Sequence, residues 1–163
     1  MTKRIINPAG LALIKQFEGL RLTAYRDLAG IWTIGYGHTG GVYKGDTVTE
    51  AEASYLLAQD LAQSEDWIAG RSQSPTDNQF AAMVSLAFNI GEFGFLNSSV
   101  RRYHNTPDYP AAADAFLLWD KAHVDGALVT VAGLLDRRIA ERTLYLSPNA
   151  APAAVVNPPP IAA

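Results

Sequence analysis

The hydrophobic period of this chain changes twice, and the two changes limit what it can fold into. Residues 8–18, PAGLALIKQFE, repeat at helical spacing, residues 19–48 do not, and helical spacing returns from Thr49 to about Leu146. The pattern predicts an α+β fold, mostly helical, in which a small β segment is held between helices.

Asn7-Pro8 supplies an N-cap followed by proline in the first turn, and Gly19 a stop, so the first helix spans about 8–18. Leu11, Ile14 and Glu18 share one stripe of it. Glu18 thus falls on the core-seeking face at the negative end of the helix dipole. Both features disfavour the carboxylate and suit a proton donor. After Gly19, short runs rich in Thr, Tyr, Trp and Ile flank Leu28-Ala29-Gly30, which reads as a β-hairpin with a three-residue loop. If Asp27 and Ile31 flank that loop, Thr33 lies opposite Tyr25 and diagonal to Asp27. A carboxylate and a hydroxyl so placed can hold one water between them. The Gly-rich run 35–41 then bends away, Val42-Tyr43 is expected to add a short third strand, and Gly45-Asp46 to turn the chain.

Thr49 and Glu52 form a capping box for a helix running to about Gly70, long enough at ~30 Å to bridge two lobes. Thr76 with Gln79 opens an apolar helix that should stop at Gly91 and lie at the centre of the second lobe. Shorter helices follow Ser98 and cover about Pro110 to Lys121, with a break at Asp125-Gly126 and a last helix over about Ala132 to Leu146. Residues 1–146 are expected to form one domain. It comprises an N-terminal lobe at about 19–48, a connecting helix at about 50–69, and a helical lobe at about 71–146 that packs with the first helix across a cleft. The Ala/Pro-rich tail 147–163 should be disordered or laid loosely on the surface.

Composition removes several functions. A net charge of -3 gives no electrostatic case for nucleic acid. There is no cysteine, and His38, His104 and His123 lack ligand-like spacing, so no metal or other cofactor is expected. Asn7, Pro8, Lys15 and Gln16 interrupt the N-terminal apolar character, so neither a signal peptide nor a transmembrane segment is expected, and synthesis in a cytoplasm is. Trp32, Tyr36 and Trp119 read as core packing before sugar stacking.

Glu18 and Asp27 stand nine residues apart, with Thr33 six further on. Among 16 acidic residues such a spacing alone decides little. The order of motifs decides more: FEG, AYRD and GIWTIGYGHT around those three residues, the helix start TVTEAEA, LAFNIGEF at 86–93, and GLLDRRIAE at 133–141. In this series, over residues 8–146, the chain resembles the phage-type lysozymes, endolysins that cleave bacterial peptidoglycan. The resemblance implies a two-lobed lysozyme-like fold and hydrolysis of the β-1,4 bond between N-acetylmuramic acid and N-acetylglucosamine. Glu18 would protonate the leaving oxygen while Asp27 and Thr33 hold the attacking water on the opposite face, an inverting mechanism. It also implies that Arg137 reaches Glu18 from the helical lobe, that Asn89 bonds an N-acetyl group or hydroxyl of the glycan, and that His38 pairs with Asp60 in a structural role. The partners implied are peptidoglycan strands and a holin-like membrane permeabiliser, with the enzyme a monomer acting at the wall without inserting into the membrane. The negative charge departs from many wall-degrading enzymes, so adsorption must rely on the cleft or on local patches. The rival readings are a lytic transglycosylase, which needs one acid and no water, and a non-catalytic wall-binding or phage structural module.

Overall fold

The structure, a computed structural model, describes residues 3–149. Helix α1 (Pro8–Glu18) leads into strands β1 (Arg21–Arg26) and β2 (Trp32–Gly35), which pair as an antiparallel hairpin. Helix α2 (Glu50–Arg71) then crosses to a helical lobe made of α3 (Asp77–Leu96), α4 (Ser99–Asn105), α5 (Tyr109–Ala115), a 3-10 turn (Phe116–Trp119) and α6 (Ala132–Leu146). A second hairpin, β3 (Lys121–Val124) and β4 (Ala127–Thr130), projects before α6.

The helix starts follow the sequence closely because each is a local hydrogen-bond problem. Asn7 Oδ1 accepts the Gly10 N–H at 2.9 Å. Thr49 and Glu52 close a reciprocal box, Glu52 Oε2 accepting the Thr49 N–H at 2.7 Å and Thr49 Oγ1 the Glu52 N–H at 3.2 Å. Thr76 and Gln79 do the same at 3.0 and 3.2 Å. Each box satisfies N–H groups that the first helical turn leaves without a partner inside the helix.

Helix α3 is the centre of the core. Phe80 through Ala87 are all buried, between α1, α2 and α6. Phe80, Met83 and Leu86 each contribute roughly 1.5–3 kcal/mol by leaving water. By length and composition α3 is apolar enough to cross a membrane, but its burial under three other helices is that of a core helix. Gly91 interrupts it with φ 80° and ψ 167°, as its stop signal predicts, yet the chain resumes helix on a new axis as far as Leu96.

Other expectations need correction. Val42-Tyr43 is not a third strand: Asp46 draws that segment into a turn by accepting the Tyr43 N–H at 2.8 Å. The added backbone pairing comes later, with Ala24 N–H to Asp46 O and Val48 N–H to Leu22 O, both 2.9 Å. The helix expected to reach Lys121 ends at Ala115 and is followed by the 3-10 turn to Trp119, Lys121 opens β3, and Asp125-Gly126 is a hairpin turn instead of a helix break. Both turn residues have positive φ, 50° and 82°, the backbone that a two-residue hairpin loop demands and that Asp-Gly supplies. Most of the tail lies outside the described residues. Its first three residues are not loose: Asn78 Nδ2 donates to the Ser147 and Pro148 carbonyls at 3.2 and 2.9 Å, and the Asn78 N–H to Asn149 Oδ1 at 3.1 Å.

His104 sits fully buried between α4, α6 and the end of α2. Its Nδ1 faces the Tyr145 hydroxyl at 2.7 Å and its Nε2 the Gln73 carbonyl at 3.0 Å, a neutral ring with the proton on Nε2 satisfying both. Burial pushes the His104 imidazole below its ordinary value, only partly offset by the Gln73 carbonyl. As pH falls through ~6.5 the unfolded chain therefore takes up a proton that the folded one refuses, and stability drops. Tm should fall more between pH 7.5 and 5.5 in the native chain than in His104→Gln; equal losses would contradict the assignment.

Candidate active site

Glu18 ends α1 where the two lobes meet. From the helical lobe, Arg137 Nη1 donates to Glu18 Oε1 at 2.6 Å. From the hairpin side the turn after β2 approaches the other oxygen, so that a Cβ placed on Gly37 would lie 3.7 Å from Glu18 Oε2. Gly37 has φ 92°, and a side chain there would be strained as well as close to the carboxyl. Arg137 can only donate, so a proton carried by Glu18 must sit on Oε2.

The hairpin adopts the expected register. Tyr25 pairs with Thr33 and Arg26 with Trp32, and the Asp27 N–H donates to the Ile31 carbonyl at 3.0 Å, closing the loop 28–30. Asp27 and Thr33 therefore project to one face. Asp27 Oδ1 is committed to the loop, accepting the Ala29 and Ile31 N–H groups at 2.9 and 2.8 Å. Its Oδ2 makes no hydrogen bond among the described residues. Thr33 is buried and its hydroxyl donates to the Ile31 carbonyl at 3.0 Å, which leaves its oxygen free to accept. One free carboxylate oxygen and one accepting hydroxyl on the same face can take the two hydrogens of a single water.

His38 and Asp60 meet as expected: Nδ1 lies 2.9 Å from Asp60 Oδ2, and Nε2 lies 2.8 Å from the Gly40 carbonyl. The pair ties the turn after β2 to α2. Asn89 is held from the helical lobe. Its Oδ1 accepts from Arg138 Nη2 at 2.9 Å, so only its NH2 group remains to donate. Tyr36 is buried and Trp119 packs on the core, while Trp32 lies under the Arg26 guanidinium, 5.0 Å from its ring centre.

Behind Arg137 lies a cluster that sequence reasoning passed over. Glu141, wholly buried, pairs with Arg137 at 3.2 Å and with Arg138 at 3.0 Å, and Ser85 of α3 completes the group. The i,i+4 spacing of Arg137 and Glu141 was a readable signal; the arrival of Ser85 from α3 was not. A cavity of about 470 Å³ lined by Asn7, Asp77, Asn78 and Pro148 lies at the opposite end of α1, and none of the residues above lines it.

The family model described as phage lysozyme matches residues 15–141. The chain belongs to the phage lysozyme family. Among its curated relatives, the endolysin of Salmonella phage P22 is 46% identical over 148 residues, covering 87% of this chain and 98% of that one. The endolysin of Acyrthosiphon pisum secondary endosymbiont phage 1 is 43% identical over 143 residues, with the same coverage. Among solved structures, a P22 lysozyme mutant superposes with a TM-score of 0.80 at 46% identity over 90% of this chain and 100% of its own. The muramidase domain of SpmX from Asticaccaulis excentricus superposes at 0.84 with 40% identity over 89% and 99%. Membership confirms the two-lobed lysozyme-like fold. Within this phage lysozyme scaffold, the Glu18, Asp27, Thr33 and Arg137 geometry stands where the two lobes approach.

Proposed function

We propose that this phage lysozyme family member is an endolysin that hydrolyses the β-1,4 bond between N-acetylmuramic acid and N-acetylglucosamine, with inversion. Peptidoglycan lysis follows from the family; the choice of bond and the roles of the residues are inferred. The reading is carried by Glu18 standing between the Arg137 guanidinium and the turn at Gly37, beside a hairpin that presents Asp27 and Thr33 on one face.

Glu18 gives the proton on Oε2 to the leaving glycosidic oxygen. The carboxylate so formed is stabilised by the charge-assisted bond from Arg137 to Oε1, already in place before the reaction. Water donates one hydrogen to Asp27 Oδ2 and the other to Thr33 Oγ1, which turns its lone pair towards the anomeric carbon. Asp27 accepts the proton as the bond forms. Two N–H bonds to Oδ1 hold the carboxylate in place without occupying the oxygen that works. The Asn89 NH2 group is left to donate to an acceptor on the sugar, and the His38–Asp60 pair keeps the turn beside Glu18 in position.

The protein acts as a monomer on the wall, reaching it after a holin-like partner opens the membrane. One relative, from Pseudomonas phage phiKMV, is named a SAR-endolysin at 30% identity, so an export segment is the competing route. Purified protein should clear a suspension of outer-membrane-stripped Gram-negative cells, with turbidity falling in proportion to enzyme. Stable turbidity from folded protein would leave the non-catalytic reading, a wall-binding or phage structural module.

A further inference from the structure

Four charged side chains meet behind the cleft, and Glu141 is the most deeply buried acid among them. Its Oε1 accepts from the Ser85 hydroxyl at 2.6 Å and from Arg137 Nε and Arg138 Nη2, both at 3.2 Å. Its Oε2 faces Arg138 Nε at 3.0 Å. Apart from the Ser85 hydroxyl, every one of these neighbours can only donate, so they favour the ionised carboxylate, although its Oε2 meets Arg138 Nε only as an ion-pair contact without a hydrogen bond. Desolvation opposes it and pushes the Glu141 carboxyl up from its ordinary value, as it pushes the Arg138 guanidinium down. Apolar side chains of the same volume would often serve stability as well or better. A carboxylate kept between two arginines in the core needs another reason.

The reason lies in where the arginines point. Arg137 spends Nε on Glu141 and Nη2 on the Ser85 carbonyl and hydroxyl, both at 3.3 Å, which leaves Nη1 aimed at Glu18. Arg138 donates from Nη2 to Glu141 Oε1 and to Asn89 Oδ1, with Glu141 Oε2 in ion-pair contact with its Nε. We propose that Glu141 is a positioning residue for the reaction: set between consecutive arginines, it aims one at the acid and the other at the Asn89 amide, so that a single carboxylate orients both. The inference rests on Glu18 being the acid.

With Glu18 ionised the cluster is neutral, two guanidiniums against two carboxylates. The other charges on the elements packed around it are engaged elsewhere. Lys15 of α1 bonds Ser54, Glu92 of α3 pairs with Arg71, Asp114 of α5 with Arg142, and Asp120 with Lys121, while Asp136 of α6 is exposed. Removing the Glu141 charge therefore favours loss of the Glu18 proton, and removing the Arg138 charge favours its retention.

The test is the pH profile of digestion of purified peptidoglycan. In Glu141→Gln the limb on which activity falls with rising pH should move down by roughly one pH unit, and in Arg138→Gln it should move up. The double variant, which keeps one guanidinium facing one carboxylate, should return it to the native position. Circular dichroism and Tm establish that each variant is folded. Limbs that stay within about 0.3 unit of native, or that move the same way in both single variants, overturn the proposal. If Glu141→Gln does not fold, the upward shift in Arg138→Gln carries the test by the same criterion. Glu18→Gln run alongside separates the two levels. If it still digests peptidoglycan, the acid assignment fails; if it is inactive and the limbs do not move, only the role of Glu141 fails.

Discussion

Replacing Glu18 with Gln should slow wall lysis by about 10²- to 10⁴-fold, the contribution of a positioned general acid. The fold should survive the change. The Gln amide oxygen can still accept from Arg137 Nη1, now at 2.6 Å from Glu18 Oε1, and Arg137 keeps its bonds to Glu141 and Ser85. What is lost is the proton on Oε2 and part of a charge-assisted bond at a partly exposed carboxyl, so stability should change by only ~1 kcal/mol. Rates from turbidity and Tm from the same preparation separate the two effects. A folded Glu18→Gln protein that lyses at the native rate would remove Glu18 from the chemistry.

Asp27 offers a second, independent substitution of large effect, because its two oxygens have different duties. Asn keeps an oxygen for the Ala29 and Ile31 N–H groups, so the loop should persist, but it cannot take a proton from water. Lysis should fall by at least about 10²-fold with Tm unchanged. Ala should lose the same activity and, in addition, ~1 kcal/mol of stability, since two loop N–H groups lose their acceptor. If Asn lyses normally and Ala does not, Asp27 serves only the loop and the base lies elsewhere.

The sequence carried those parts of the fold that are decided locally. Asn7, Thr49 and Thr76 mark three helix starts because a cap is a bond between residues three apart, and the Asp27–Ile31 closure follows from a three-residue loop. The β3–β4 hairpin was equally local, with Asp125-Gly126 between KAHV and ALVT, and reading it as a helix break overlooked the turn chemistry. Val42-Tyr43 was misplaced because strand composition competes with the Asp46 side chain, which wins by capping the turn.

The site divides along the same line. Asp27 and Thr33 could be set on one face from register alone. The approach of Arg137 to Glu18 spans α6 and α1, and it came from resemblance to a family instead of from spacing. Ser85, in an otherwise apolar stretch of α3, gave no sign of its role, since only the packing of α3 on α6 brings it to Glu141. The family resemblance implies a glycan contact for Asn89, whereas the arginine that holds its amide oxygen is visible only in three dimensions.

In the proposed mechanism water, held by Asp27 and Thr33, attacks the bond that Glu18 opens. Mass spectrometry of peptidoglycan digested in ¹⁸O-labelled water tests it directly. Hydrolysis should give reducing N-acetylmuramic acid ends, each carrying one labelled oxygen. Unlabelled 1,6-anhydro-N-acetylmuramic acid ends would show that the bond breaks without water and would contradict it.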